Sequence, residues 1–241
     1  MKEKIYTIPV NEAYDTVCEC PMCVLEERLE DESLEYTLGA AMMEEDFRGH
    51  SDRNGYCNRH FSLLFGKQNK LPLALILDTH TQEVRKKIAL LSKRAKKSGA
   101  GLFKKRNSYA RELSEGLKGI LDGCIVCEKV NKTMERYADV LLYMWANDDE
   151  FRAKFDHSKG LCIKHLKLLA DIAENSIGSK AGDFLAAAMQ KEEKELERIQ
   201  ADIHKFTQKF DYRNKDMEWG TAKDAPVRTI EKLGGFIKNK D

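Results

Sequence analysis

Runs of apolar residues long enough to cross a bilayer are missing from this chain: no stretch approaches the ~20 residues a membrane helix needs. The opening segment MKEKIYTIPV also lacks the apolar core of a secretory leader. Together these predict a cytoplasmic protein with no membrane partner. A one-signed charge is lacking as well, because 41 Lys and Arg face 40 Asp and Glu for a formal +1, so no global field draws the chain to nucleic acid or lipid. Alternating strand patterns are nearly absent, which excludes sheet folds and leaves an all-α reading. There is no phosphate-cradling glycine loop, nucleophile elbow or paired-carboxylate motif. No catalytic residue is therefore assigned, and the balance leans away from an enzyme.

What the chain does have is a cysteine and histidine pattern written twice. Cys20-Pro-Met-Cys23 is followed by Gly55-Tyr-Cys57-Asn-Arg-His60, and Cys124-Ile-Val-Cys127 by Gly160-Leu-Cys162-Ile-Lys-His165. The inner gaps are 33 and 34 residues, and six of the seven cysteines belong to the pattern, which scattered core thiols do not explain. Three thiolates and one imidazole form the soft, four-donor set of a tetrahedral zinc site, and x2 spacing lets one turn offer two donors to one ion. In a reducing compartment such pairs favour metal over disulfide. Two Zn2+ per chain are expected. Iron–sulfur clusters are the rival, since three cysteines and a histidine also suit them. Neither C-x2-C is followed by His, as Val24 and Glu128 stand there, which disfavours covalent haem.

The similarity reaches beyond the ligands. Glu45-Asp46-Phe47-Arg48 lies 104 residues before Asp149-Glu150-Phe151-Arg152, the offset that also links Cys20 to Cys124. The pattern predicts a tandem duplication: a first helical metal-binding unit at 1–97, a basic Gly/Ser linker at 98–107, a second unit at 108–210 and a polar extension at 211–241. Leu25, Leu29, Tyr36, Ala40, Met43 and Phe47 repeat at helical spacing, as do Val130, Met134, Tyr137, Leu141 and Met144. Breaks are expected near Glu44 and Asp148, because a long helix would otherwise carry the ligand pairs apart. Gly55 and Gly160 supply the turn before each second pair. The spacing favours ligands joined within each repeat; joining Cys20 and Cys23 to Cys162 and His165 is the alternative.

Several features fall outside the duplication. Leu73, Leu77, His80, Val84, Ile88, Leu91 and Ala95 predict a helix opened by Pro72. Leu185, Met189, Glu192, Leu196, Ile199, Ile203, Phe206 and Phe210 alternate by fours and threes over 185–210, a seam for a protein partner or a second copy. Arg85 to Arg106 holds ten basic residues and no acid, a weak nucleic-acid signal without interleaved aromatics. Cys18 is the odd thiol, with Asp122 at its repeat position; it reads as a small partly buried side chain, or as a spare thiol exchanging with Cys20 or Cys23 on oxidation. Asp78 and His80 mark a candidate helical pocket, although a histidine on an apolar stripe is more often a core residue. Arg59 and Lys164, beside the histidines, are charge partners for anionic centres or simply solvated.

The succession of C-P-x-C with a Glu-rich helix, G-x-C-x2-H and then Leu73-Ala-Leu-Ile-Leu-Asp-Thr-His80 resembles an uncharacterised family of cytoplasmic proteins from anaerobic Gram-positive bacteria. The resemblance implies no activity, substrate or partner, and it adds some weight to an oxygen-sensitive iron–sulfur centre. The reading is thus a metal-binding helical protein acting as a partner-binding or regulatory module. Its alternatives are a redox or metal-handling protein and an enzyme using the Asp78 and His80 pocket.

Overall fold

The computed structural model describes residues 6–98 and 106–238, and among them it contains helices and no strands. The eleven α-helices are α1 (Thr7–Tyr14), α2 (Pro21–Leu38), α3 (Glu45–Asn54), α4 (Asn58–Gly66), α5 (Lys70–Ser98), α6 (Arg106–Leu121), α7 (Ile125–Asn147), α8 (Asp149–His157), α9 (Ile163–Ile177), α10 (Ala181–Gln208) and α11 (Ala225–Gly234). The chain forms two compact units that do not follow its halves: unit 1 holds Met1–Leu29 and Lys132–Asp241, and unit 2 holds Glu30–Asn131. Both boundaries fall inside helices, α2 and α7. Most of the expected basic linker, 99–105, lies outside the described residues, and the helices α5 and α6 run up to it on either side.

The expected breaks are present. Asp148 stands between α7 and α8 in an extended conformation, and its carboxylate accepts from the backbone N–H of Glu150 and Phe151, a side-chain N-cap. On the first side, α2 ends at Leu38, a 3-10 turn covers Ala40–Met43, and Glu44 turns the chain into α3 without a side-chain cap. The early stop at Leu38 takes Ala40 and Met43 off the helical face expected for them, and Met43 is 90% exposed. The matching stripe on α7 is buried throughout, from Val130 to Met144.

Unit 1 has a dense aromatic core. Tyr14 meets Phe151 at 4.9 Å between ring centroids, and Phe184 meets both Trp145 at 5.2 Å and Phe155 at 5.8 Å. Phe151, Phe155 and Phe184 are fully buried, each stabilising the fold by roughly 1.5–3 kcal/mol. The α10 seam is used within this unit: Glu192 and Ile199 are buried, and α9 and α11 pack on the helix. At its start the buried face is Ala181, Phe184 and Ala188 instead of Leu185 and Met189, a rotation that follows the large Phe184 ring into the core.

The C-terminal extension docks on α10 through α11, whose first turn is opened by Pro226 and whose Lys232 has no solvent exposure. Lys232 Nζ pairs with Glu192 Oε1 at 3.0 Å and donates to the carbonyls of Lys159 (2.5 Å) and Glu19 (3.3 Å). Glu192 in turn accepts from the Leu161 amide at 3.0 Å.

In unit 2, α5 carries α3 on one side and α6 on another. Its buried residues are Leu73 and Ile76, with His80, Val84 and Leu91 half-buried. Leu77 and Ile88, expected on the same stripe, are 40% and 43% exposed because they sit to one side of the face that α3 and α6 cover. The Ala95 side chain lies outside the described residues.

Lys232→Ala removes the cation from a buried ion pair and strands the Glu192 carboxylate, so it should cost on the order of 3 kcal/mol. Thermal denaturation of the full chain checks this; a loss below about 1 kcal/mol would mean the pair relaxes into water.

Candidate metal centres

Two quartets of donors form, each inside one unit. In unit 1 they are Cys20, Cys23, Cys162 and His165; in unit 2 they are Cys57, His60, Cys124 and Cys127. All eight predicted residues are gathered into these two groups, which could each hold a metal ion, but the expected pairing within each repeat is corrected to the crossed one. Helix length gives the reason. The 15 residues of α2 beyond Cys23 carry the chain ~22 Å from it, more than the ~15 Å that the ten residues of α3 could return. Cys57 and His60 are completed instead by the start of α7.

Each donor pair is placed by a helix start. Cys20 immediately precedes α2 and Cys23 lies in its first turn, with the Cys23 amide donating to the Cys20 carbonyl at 3.0 Å. Cys124 and Cys127 repeat this at α7, where the Cys127 amide points at the Cys124 sulfur at 3.5 Å. Cys57 and Cys162 are the N-cap residues of α4 and α9, in extended conformations, which puts each histidine one turn inside its helix. Free backbone N–H groups there favour thiolate over thiol. Gly55 and Gly160 precede these caps at φ 66° and 78°. A Cβ on Gly55 would lie 2.5 Å from the His80 ring, and one on Gly160 would lie 2.7 Å from Glu192 Oε2, so neither space nor conformation admits a larger residue.

The donors converge closely. His165 Nδ1 stands 3.5, 3.4 and 3.2 Å from the sulfurs of Cys20, Cys23 and Cys162, and Cys23 and Cys162 are 3.6 Å apart. His60 Nδ1 stands 3.2, 3.2 and 3.3 Å from Cys57, Cys124 and Cys127, and Cys57 and Cys127 are 3.8 Å apart. The inward nitrogen is Nδ1 in both. The unit 1 quartet is fully buried, whereas Cys57 and Cys127 of unit 2 are half-buried.

The outward nitrogens meet carboxylates that the sequence reading missed. His60 Nε2 donates to Glu30 Oε1 at 3.1 Å, and Glu30 is gripped by both arms of Arg59, at 2.8 and 3.0 Å. His165 Nε2 faces Glu26 Oε2 at 3.4 Å, within ion-pair reach, and Lys164 closes on the other oxygen. Arg59 and Lys164 therefore neutralise the carboxylates behind the histidines. Both acids come from α2, four residues apart. The repeat concealed them, because Val130 and Met134 occupy the positions 104 residues on. Carboxylates in this place orient an imidazole and make it a better ligand.

Electrostatics within each quartet favour charge separation. Burial opposes an imidazolium at His60, but the Cys124 thiolate and Glu30 outweigh it and push its pKa up to about 10. His165 reaches about 11, against burial, through Cys162, Cys20 and Glu26. Cys124 falls to about 6: burial raises it, and His60 and nearby backbone amides more than offset that. Hydrogen bonds from Cys20 and Cys23 hold Cys162 well below the thiol range, and the bond to Cys162 pushes Cys23 far above it. A divalent ion at the centre would replace the shared protons.

The other singled-out residues stand apart. His80 Nδ1 donates to the Asp52 carbonyl at 2.8 Å beside Gly55, so it supports the ligand turn, and Asp78 accepts from Gln82 instead of orienting the ring. Cys18 belongs to neither quartet; burial and the neighbouring Cys20 push its thiol up to about 11.

The crossed pairing makes Cys20→Ala with Cys162→Ala a lesion of one centre, which should leave one metal per chain by native mass spectrometry. Cys20→Ala with Cys57→Ala should leave none. The reverse result would restore pairing within repeats. The pKa directions also set a pH dependence. Imidazoles and thiols held protonated at neutral pH must lose protons on loading, so metal affinity should fall as pH falls. Calorimetry in buffers of different ionisation heat should detect that proton release.

The chain has no match among curated proteins and none among solved structures. A family model does match it, over residues 1–240, and by that match the chain belongs to a family of unknown function (DUF6062).

Proposed function

We propose that each quartet holds one mononuclear zinc ion as a closed structural clip, and that the clipped helical units serve as a partner-binding or regulatory module. The observation that carries this is donor spacing. Two thiolates at about 2.3 Å from one tetrahedral zinc stand about 3.8 Å apart, and a thiolate and an imidazole nitrogen about 3.5 Å apart. The separations here run from 3.2 to 3.8 Å where they are within contact range, and all four donors of each set lie within 4.8 Å of one another. Thiolates on different irons of a cubane stand on the order of 6 Å apart, which the quartets do not match.

A shell of three thiolates and one imidazole is complete without water, so the metal has no open position for substrate. Three thiolates, a neutral imidazole and Zn2+ sum to minus one, and the paired carboxylates behind the histidines suit a fixed, non-reacting ion. This closed chemistry moves function to the surface.

Elemental analysis of protein purified without oxygen or added metal, with sulfide assayed on the same sample, tests the reading. Two zinc per chain and no sulfide are expected. Iron with matching sulfide would replace the clip by a redox centre, and iron without sulfide would keep a mononuclear clip but change the metal.

A further inference from the structure

Unit 1 is tied twice across the same two stretches of chain. The quartet brings Cys20 and Cys23 to Cys162 and His165, and Lys232 of α11 joins those stretches again, its Nζ donating to the carbonyls of Glu19 and Lys159. Glu19 directly precedes Cys20, and Lys159 stands three residues before Cys162. Glu192, the ion-pair partner of Lys232, accepts from the amide of Leu161, the residue before Cys162. The seat of this cation is therefore built from the two ligand-bearing loops, and it exists only while they keep their present separation. α11 depends on that seat. Its fully buried residues are Ala225 and Lys232, while Ile230 and Leu233 are 54% and 58% exposed, so its docking leans on polar contacts. Arg228 supplies another, meeting Asp202 of α10 at 2.9 Å. If the loops parted, Lys232 would be left as a buried ammonium short of acceptors, a cost the chain escapes by releasing the helix into water.

We infer that α11 is a strap governed by metal occupancy of the unit 1 quartet: a bound ion fixes the two loops, seats Lys232 and keeps α11 docked, and loss of the ion frees the helix. The inference rests on the clip reading and deepens it, since it makes the C-terminal segment the output of a regulatory module whose input is metal. Two ties across the same loops reinforce each other, because each holds the chain at the spacing the other needs. The coupling is reciprocal, so a docked α11 must in turn slow the loss of metal. Unit 2 is the internal control, since α11 and both loops that seat Lys232 belong to unit 1.

Amide hydrogen exchange of the full zinc-loaded chain, read by mass spectrometry, tests the strap. Amides of α11 should exchange about tenfold faster or more once zinc is withdrawn with a chelator, and equally so in Cys162→Ser, which opens the unit 1 quartet. In Cys127→Ser, which opens the unit 2 quartet, they should exchange at the loaded rate. Amides of α7 from Met134 to Met144 should keep their protection throughout. Equal α11 exchange with and without zinc, equal loosening by the two serine variants, or joint loss of α7 and α11 protection would each overturn the strap, the last by showing that the whole unit opens. In the other direction, Lys232→Met combined with Glu192→Gln removes both charges and leaves an acceptor for the Leu161 amide. One of the two zinc ions should then pass to a chelator severalfold faster, and unchanged release would overturn the coupling. Zinc content is measured first: Cys127→Ser protein that keeps no zinc would overturn the clip reading and the strap with it, whereas zinc bound with α11 indifferent to it would remove the strap alone.

Discussion

Convergence of four donors from two distant stretches of chain is the constraint on which the arrangement depends. In unit 1, donors at 20 and 23 meet donors at 162 and 165; in unit 2, donors at 57 and 60 meet donors at 124 and 127. Each closure joins helix starts, where backbone N–H groups are free to stabilise anionic sulfur. Everything around the quartets can be understood as holding those starts in place: glycine turns ahead of the caps, carboxylates behind the histidines, and helices laid over the turns.

The two units solve the positioning problem differently. In unit 2, His80 and Lys87 on α5 hold the turn before Cys57, by bonds to the carbonyls of Asp52 and Arg53. In unit 1 the same job falls to Glu192 on α10 and Lys232 on α11, a buried ion pair that reaches the carbonyls on both sides of the quartet. A buried pair contributes little net stability in itself but is costly to break, so it restricts geometry more than it adds energy. It also gives the C-terminal segment a defined role in unit 1, where it completes the packing of α10.

Much of this was readable before any coordinates. Three cysteines and a histidine at repeated spacing single out the eight candidate donors because donor chemistry resides in residue type. The break at Asp148 was expected from helix length alone, and the structure shows its local cause, the Asp148 carboxylate that caps Glu150 and Phe151. The stripe from Val130 to Met144 is continuous and is buried as one face. The stripe on α5 misled, because Leu77 and Ile88 belong to a periodicity wider than the face that neighbours cover. Glu26 and Glu30 carried no warning: two acids in a Glu-rich helix look like solvated surface until the imidazoles are seen against them.

The sequence by itself determined the helical class, the eight donors, the glycines that must precede two of the caps and the breaks that end the long helices. These are local properties, set by periodicity, side-chain chemistry and backbone freedom within a few residues. Only the tertiary structure decided which pairs share a centre, which acids stand behind the histidines and what α11 covers. Those depend on where helices of 18 and 23 residues end in space, and a spacing repeated 104 residues on is silent about that because both pairings satisfy it equally.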